Sequence, residues 1–70
     1  MIRKPVTSSI LKSVGYDADT STLEISFRYG IVNQYFGVRT HIYSGLMNAA
    51  SKREFFNQNI KSSYPFRNVG

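Results

Sequence analysis

The only candidate general base in this 70-residue chain is His41, which lies between Thr40 and Tyr43. The chain contains no cysteine, and its serines have no identifiable base and acid companions. Neither a nucleophile with its base nor a zinc cluster of Cys/His type can be assembled from these residues. We therefore expect His41 to be an exposed residue at a helix start, and the protein not to be an enzyme.

The carboxylates do not form a binding set either. They are spread over a predicted turn, a strand and a helix cap, at Asp17, Asp19, Glu24 and Glu54. Asp17 and Asp19 have the spacing that begins a calcium loop, but no glycine and ligand series completes it. The glycines form no phosphate-cradling run. We expect no metal and no cofactor.

The charge balance indicates the class of partner. Nine Lys and Arg residues against four Asp and Glu give a net charge of +5. This favours RNA or another nucleic acid, or an acidic protein surface, although charge of this size also serves solubility. The basic start of the chain lacks a following apolar region, and no apolar stretch is long enough to span a membrane. We expect a cytoplasmic protein without membrane association.

Basic side chains at a predicted helix start are the first candidates for phosphate contacts. Lys52 and Arg53 oppose the helix dipole there, so a bound phosphate is one explanation and a solvated helix terminus is the other. An aromatic residue on a basic sheet could add base stacking. The predicted nucleic-acid site therefore comprises Tyr35, Arg28, Lys52, Arg53, Arg39 and Lys61.

One domain must position these residues, because the chain is too short for two cores. The clearest element is Thr22–Arg28, whose strict alternation predicts a strand with its apolar residues facing inward. A strand precedes it over Ser8–Tyr16, although Lys12 interrupts the alternation of that segment. Another strand follows over about 31–38, after a turn at Tyr29-Gly30. Residues 1–7 and 67–70 are expected to be flexible tails.

Two helices complete the prediction. Thr40 is a plausible N-cap for the first, in which Gly45 is a weak helix former. Ser51 and Glu54 have the spacing of a capping box at the start of the second helix. The second helix carries Phe55, Phe56, Asn59 and Ile60 inward and stops before Pro65. The predicted fold is α+β, a three-stranded antiparallel meander followed by two helices on one face (β-β-β-α-α).

The register of the last hairpin decides where Tyr35 lies. A two-residue turn at Tyr29-Gly30 pairs Leu23 with Phe36 and places Tyr35 on the outer face. A three-residue turn pairs Ile25 with Tyr35 and sends the tyrosine into the core. A slip of one residue reverses every side chain, so both positions stay open, with the buried one favoured.

Several motifs in order resemble the KTSC domain, a module named for its place at the C-terminus of some lysyl-tRNA synthetases and also found alone in bacteria and phages. The resemblance covers about residues 8–66. It rests on Tyr16-Asp17, Leu23–Phe27, Gly30, Tyr35–Val38, Ala50–Lys52, Phe55–Asn57, Ile60 and Tyr64. The chain departs from the family pattern at three positions. Asn33 stands where the family has the first tyrosine of a Tyr-x-Tyr motif, Arg39 where a proline is common, and Arg53 where a glycine is usual.

The resemblance implies no established activity, and it implies RNA binding only through the attachment of the domain to a synthetase. Our first hypothesis is accordingly a non-catalytic module that binds RNA, either tRNA or a single strand. The alternative is a protein-interaction module that uses open sheet edges, with Tyr64 and Phe66 as an apolar anchor. Either a monomer or a weak homodimer is compatible with the sequence.

Overall fold

The computed structural model describes residues 1–70 and contains one five-stranded antiparallel sheet and two helices. The elements in chain order are β1 (Lys4–Pro5), β2 (Leu11–Asp17), β3 (Thr22–Phe27), β4 (Val32–Phe36), α1 (Thr40–Asn48), α2 (Lys52–Asn59) and β5 (Phe66–Asn68). The strands lie side by side in the order β1-β2-β3-β4-β5. Both helices come between β4 and β5 in the chain, and β5 returns to pair with β4.

The α+β class is confirmed, but the predicted three strands are too few. Of the two extra strands, β1 lies within residues 1–7, and β5 begins one residue before residues 67–70, the two segments that were expected to be flexible tails. They have two and three residues, all exposed. A strand this short cannot show an apolar-polar alternation, so the pattern that identifies β3 was not available for them.

Strand β2 contains an irregularity that explains its broken alternation. Leu11 pairs with Phe27, whereas Ser13 pairs with Ser26, so the register shifts by one residue between them. Lys12 is the extra residue of this bulge and is exposed. The shift lets both Leu11 and Val14 face the core, although they are three residues apart.

The hairpin between β3 and β4 fixes the register of the central sheet. The Phe27 amide donates to the Ile31 carbonyl at 2.8 Å, which leaves a three-residue loop, Arg28–Gly30. Gly30 has φ of 99°, the left-handed conformation that such loops require at their last position. This register pairs Leu23 with Tyr35, a different partner from either predicted register.

The helix starts agree with the sequence in part. Arg39, and not Thr40, is the N-cap of α1, and no side chain caps that helix. The N-cap of α2 is Ser51 as predicted, and its hydroxyl accepts from the Glu54 amide at 3.2 Å. The Glu54 carboxylate does not complete the capping box and accepts from Gln58 instead.

The core lies between the helices and the face of the sheet that carries the alternating apolar residues of β3. It consists of Leu11, Val14, Leu23, Ile25, Phe27, Tyr35, Val38, Leu46, Phe56 and Ile60. Tyr16 packs against it, stacks on Tyr43 of α1, and donates its hydroxyl hydrogen to the Val38 carbonyl. The opposite face of the sheet, called the outer face below, has no helix against it.

Gly15 on the outer face allows the N-terminal segment to lie close to the sheet. A β-carbon at this position would stand 2.8 Å from the Ile2 carbonyl oxygen, a backbone atom that cannot move alone. We expect Gly15→Ala to displace residues 1–5 and to lower the free energy of unfolding by about 1–3 kcal/mol. Urea denaturation measures the loss, and hydrogen exchange at Lys4 reports the release of β1. Ser13→Ala on the same face is the control, and equal stability of the two variants would contradict this account.

Candidate nucleic-acid interface

Only one of the nine Lys and Arg side chains forms an ion pair with a carboxylate. The single ion pair joins Arg3 to Glu24, with 3.4 Å between Nη1 and Oε2. Of the nine Lys and Arg residues, the other eight have no carboxylate within ion-pair distance, namely Lys4, Lys12, Arg28, Arg39, Lys52, Arg53, Lys61 and Arg67. The cations are therefore available to an external polyanion.

Glu24 is the one carboxylate on the outer face that has both oxygens engaged. Its side chain accepts from Gln34 Nε2 at 2.9 Å through Oε1, and it meets Arg3 through Oε2. The strand pairing aligns Gly15, Glu24, Gln34 and Arg67 in one row across the sheet. The charges of Arg3 and Glu24 offset each other locally, and Arg67 has no carboxylate within ion-pair distance.

The β3–β4 loop carries an arginine that is held in place and an exposed aromatic ring. Arg28 Nε donates to the Ser8 carbonyl at 2.7 Å, which leaves the four other guanidinium N–H groups without a partner in the protein. The Tyr29 ring stacks on Phe27 with centroids 5.3 Å apart and planes 14° from parallel, and the residue is 66% exposed. Arg28 was predicted for the site, but Tyr29 was interpreted only as a turn residue.

The remaining predicted cations lie at separate places on the fold. Arg39 precedes α1, Lys52 and Arg53 begin α2, and Lys61 follows α2. All are exposed except Lys52, which is half-buried and donates through Nζ to the Ala49 carbonyl at 3.1 Å. Lys52 thus has a structural contact at the junction of the two helices, in addition to its position at a helix start.

Tyr35 is in the core, so its ring cannot stack on a base. It is 3% exposed and contacts Phe56 and Phe66, with ring centroids 5.7 and 5.5 Å away. Its hydroxyl accepts from Asn33 Nδ2 at 3.4 Å. The outward position of Tyr35 is excluded because Tyr35 is opposite Leu23 and shares its face of the sheet.

Burial raises the pKa of the Tyr35 hydroxyl above its usual value of 10.0, and the nearby Tyr29 adds to the rise, while the Asn33 hydrogen bond opposes it. A group whose pKa is raised by folding binds its proton more tightly in the folded state, so stability falls as pH rises above the unfolded value. We expect Tyr35→Phe to remove part of the stability loss above pH ~10, where tyrosine ionises. Urea denaturation at neutral and alkaline pH measures this, with Tyr43→Phe as control. An identical alkaline loss in Tyr35→Phe and the wild type would contradict it.

The margin formed by β4 and β5 adds exposed residues that the sequence did not place beside a sheet. Phe66 lies opposite Tyr35 and is 57% exposed. Asn68 lies opposite Asn33, and its Nδ2 donates to the Asn33 Oδ1 at 3.2 Å and to the Val32 carbonyl at 3.3 Å. In the sequence, Phe66 was notable only as an apolar residue in a polar tail. No sequence pattern indicated that β5 is a strand.

The histidine and the carboxylates, the residues that could take part in catalysis or metal binding, do not form a common site. His41 is exposed in the first turn of α1, as predicted. Asp17 Oδ1 accepts from the Asp19 amide at 3.0 Å, the bond typical of an Asx turn. No three His, Cys, Asp or Glu side chains come together as a metal-ligand group. Neither helix is long and apolar enough to cross a membrane.

Comparisons with known proteins agree on one family. The family model of the KTSC domain matches residues 7–64. The crystal structure of a KTSC domain protein from Yersinia pestis superimposes with a TM-score of 0.94 at 43% identity, covering 99% of this chain and 97% of that one. An uncharacterized protein of Stutzerimonas stutzeri (strain A1501) is 34% identical over 64 residues, which are 91% of this chain and 90% of that protein.

Some similar proteins are much longer than this chain. A lysine–tRNA ligase of Nostoc punctiforme is 38% identical over 61 residues, which are 87% of this chain. A ligase of Trichormus variabilis is 33% identical over 61 residues. The chain spans only 11% of the length of each of these ligases.

Proposed function

Because the chain belongs to the KTSC domain family, we propose that it acts as a non-catalytic module that binds RNA through its basic surface. The observation that carries this proposal is the charge: eight of the nine cationic side chains have no internal carboxylate partner. A folded surface of this kind attracts polyanions, and contacts of Lys and Arg with phosphates supply the sequence-independent affinity for nucleic acids.

The relatives support RNA as the polyanion. Two proteins that contain a similar segment are lysine–tRNA ligases, enzymes whose name includes a tRNA substrate. The segment is a small part of those enzymes, so their aminoacylation activity is not proposed for this chain. Binding of RNA, unlike aminoacylation, is an activity that a small basic domain can perform without catalytic groups.

A titration with tRNA and with single-stranded RNA at two salt concentrations tests this function. If the chain contacts about four phosphates of a single strand, log K falls by roughly 0.7 per phosphate per log unit of salt, and affinity drops roughly fifty-fold between 50 and 200 mM salt. Polyglutamate of equal charge is the control for nonspecific attraction. Absence of RNA binding at low salt, or binding no tighter than to polyglutamate, would overturn the proposal.

The exposed edge of β5 favours a second candidate function, protein interaction. All three residues of Phe66–Asn68 are exposed, and β5 has a neighbour on one side only. A partner strand could add to this edge, with Phe66 as an apolar contact. A pull-down from nuclease-treated lysate separates the two functions, since partners held through RNA are then lost. Sedimentation at two concentrations tests whether the partner is a second copy of the chain.

A further inference from the structure

Five aromatic rings form a continuous series of contacts that crosses the core and reaches the surface at both ends. In order they are Tyr29, Phe27, Phe56, Tyr35 and Phe66, with successive centroids between 5.3 and 5.7 Å apart. The three middle residues are buried, whereas Tyr29 and Phe66 are 66% and 57% exposed. The two exposed rings are therefore held by the core but not covered by it.

Fixed and exposed rings are suited to stacking on a flat ligand. One face of Tyr29 lies nearly parallel to Phe27, so its opposite face is directed to solvent. Phe66 is tilted by 34° against Tyr35 and is likewise supported from one side. Because their positions are set before binding, a ligand that stacks on them loses less conformational freedom than with mobile rings.

The surface between the two rings is polar at its centre. Its two ends lie at Ile31, the residue before β4 that pairs with Phe27, and at Tyr35 within β4. These residues are four positions apart, about 13 Å at the rise of a strand. Asn33 and Asn68 lie between them, opposite each other. The Asn68 Nδ2 is engaged, but its Oδ1 accepts no hydrogen bond within the protein. This arrangement offers a hydrogen-bond acceptor between two stacking surfaces.

The charge of the protein favours a polyanion as the polymer whose flat groups stack on the two rings. Arg28 directly precedes Tyr29 and is oriented by the Ser8 carbonyl, with its other N–H groups free. The net charge of +5 disfavours a cationic or neutral partner relative to a polyanion. A duplex keeps the faces of its bases stacked inside, so only a single strand can present them to exposed rings.

We propose that Tyr29 and Phe66 are base-stacking residues of a single-stranded nucleic-acid site on the β4–β5 margin, with Arg28 contacting a phosphate. This inference rests on the proposed RNA-binding function and specifies its site and the form of its ligand. A span of about 13 Å accommodates about four nucleotides at a stacked rise of ~3.4 Å. The site therefore engages a short segment of a single strand.

The test measures binding of the full chain to a fluorescent oligouridylate of about eight nucleotides by anisotropy. Tyr29→Leu and Phe66→Leu keep an apolar side chain but lose the flat ring, and each is expected to weaken binding about tenfold. Tyr29→Trp keeps a ring and is expected to bind at least as tightly as the wild type. Arg28→Gln is expected to reduce the salt slope by about 0.7, one phosphate contact. Circular dichroism confirms that each variant is folded.

Controls separate this inference from the proposed function. Ile2→Ala replaces an exposed apolar residue of the N-terminal segment and is expected to leave binding unchanged. An RNA hairpin stem of equal length is expected to bind at least tenfold more weakly than the single strand. If the wild type binds RNA but the two leucine variants bind equally well, the proposed function stands and this site is wrong. If the wild type binds no RNA, both are overturned, and a protein partner becomes the explanation for the exposed rings.

Discussion

Replacement of Phe56 by alanine is expected to lower the free energy of unfolding by about 3–5 kcal/mol. Phe56 is the only helix residue in the aromatic series, and it contacts Phe27 of β3 and Tyr35 of β4 edge-on. It is almost fully buried, so its removal leaves a cavity between α2 and the sheet. A 70-residue domain has roughly 4–10 kcal/mol of stability in total, so the variant should be largely unfolded or close to it.

Phe55→Ala is the matched control for this prediction. Phe55 precedes Phe56 in the same helix but is half-buried, and its ring packs against the open side of Gly45. Loss of this ring should cost less, about 1–2 kcal/mol, because the side chain is already partly in water. Urea denaturation of both variants measures the difference. A loss from Phe55→Ala equal to or larger than that from Phe56→Ala would show that the core is centred elsewhere.

Truncation after Tyr64 is expected to have the second-largest effect, a loss of about 3 kcal/mol. It removes β5 and with it backbone hydrogen bonds from Phe36 to Pro65, from Val32 to Gly70 and from Val69 to Val32. It also removes the Phe66 ring from Tyr35 and leaves β4 as an edge strand. If the segment were a flexible tail, as the sequence indicated for residues 67–70, the truncation would leave stability unchanged.

Arg67→Ala in the full-length chain is the control for the truncation. The side chain of Arg67 is exposed on the outer face, and the substitution keeps every backbone bond of β5. Its effect should be within about 0.5 kcal/mol. Comparable losses from Arg67→Ala and from the truncation would mean that the side chain, and not strand pairing, accounts for the stabilisation.

The elements that the sequence predicted well are those with local physical signals. The alternation of Thr22–Arg28 identified β3 and its inward residues, and the Ser51 cap identified the start of α2. Both signals arise within a few residues of the chain, since a strand shows its buried face by alternation and a helix start by its cap. The family resemblance was confirmed by the match over residues 7–64.

The features that the sequence did not determine depend on pairing between distant segments. The positions of β1 and β5 are set by backbone bonds to β2 and β4, which leave no pattern in two or three exposed residues. The position of Tyr35 depends on which three residues form the β3–β4 loop, and the amino-acid composition of that segment does not specify them. Tyr29 and Phe66 were not combined as a site because they are 37 positions apart and meet only through the aromatic series.

The most direct test of RNA binding at the β4–β5 margin is a two-dimensional NMR titration of the ¹⁵N-labelled chain with a short single-stranded RNA. Binding at this margin is expected to give the largest amide shifts at Arg28–Gly30 and at Phe66–Asn68, the two ends of the proposed site. Shifts on β1, which lies at the other edge of the sheet, are expected to be small. Shifts confined to β1 or to the start of α2, or no shifts at low salt, would contradict it.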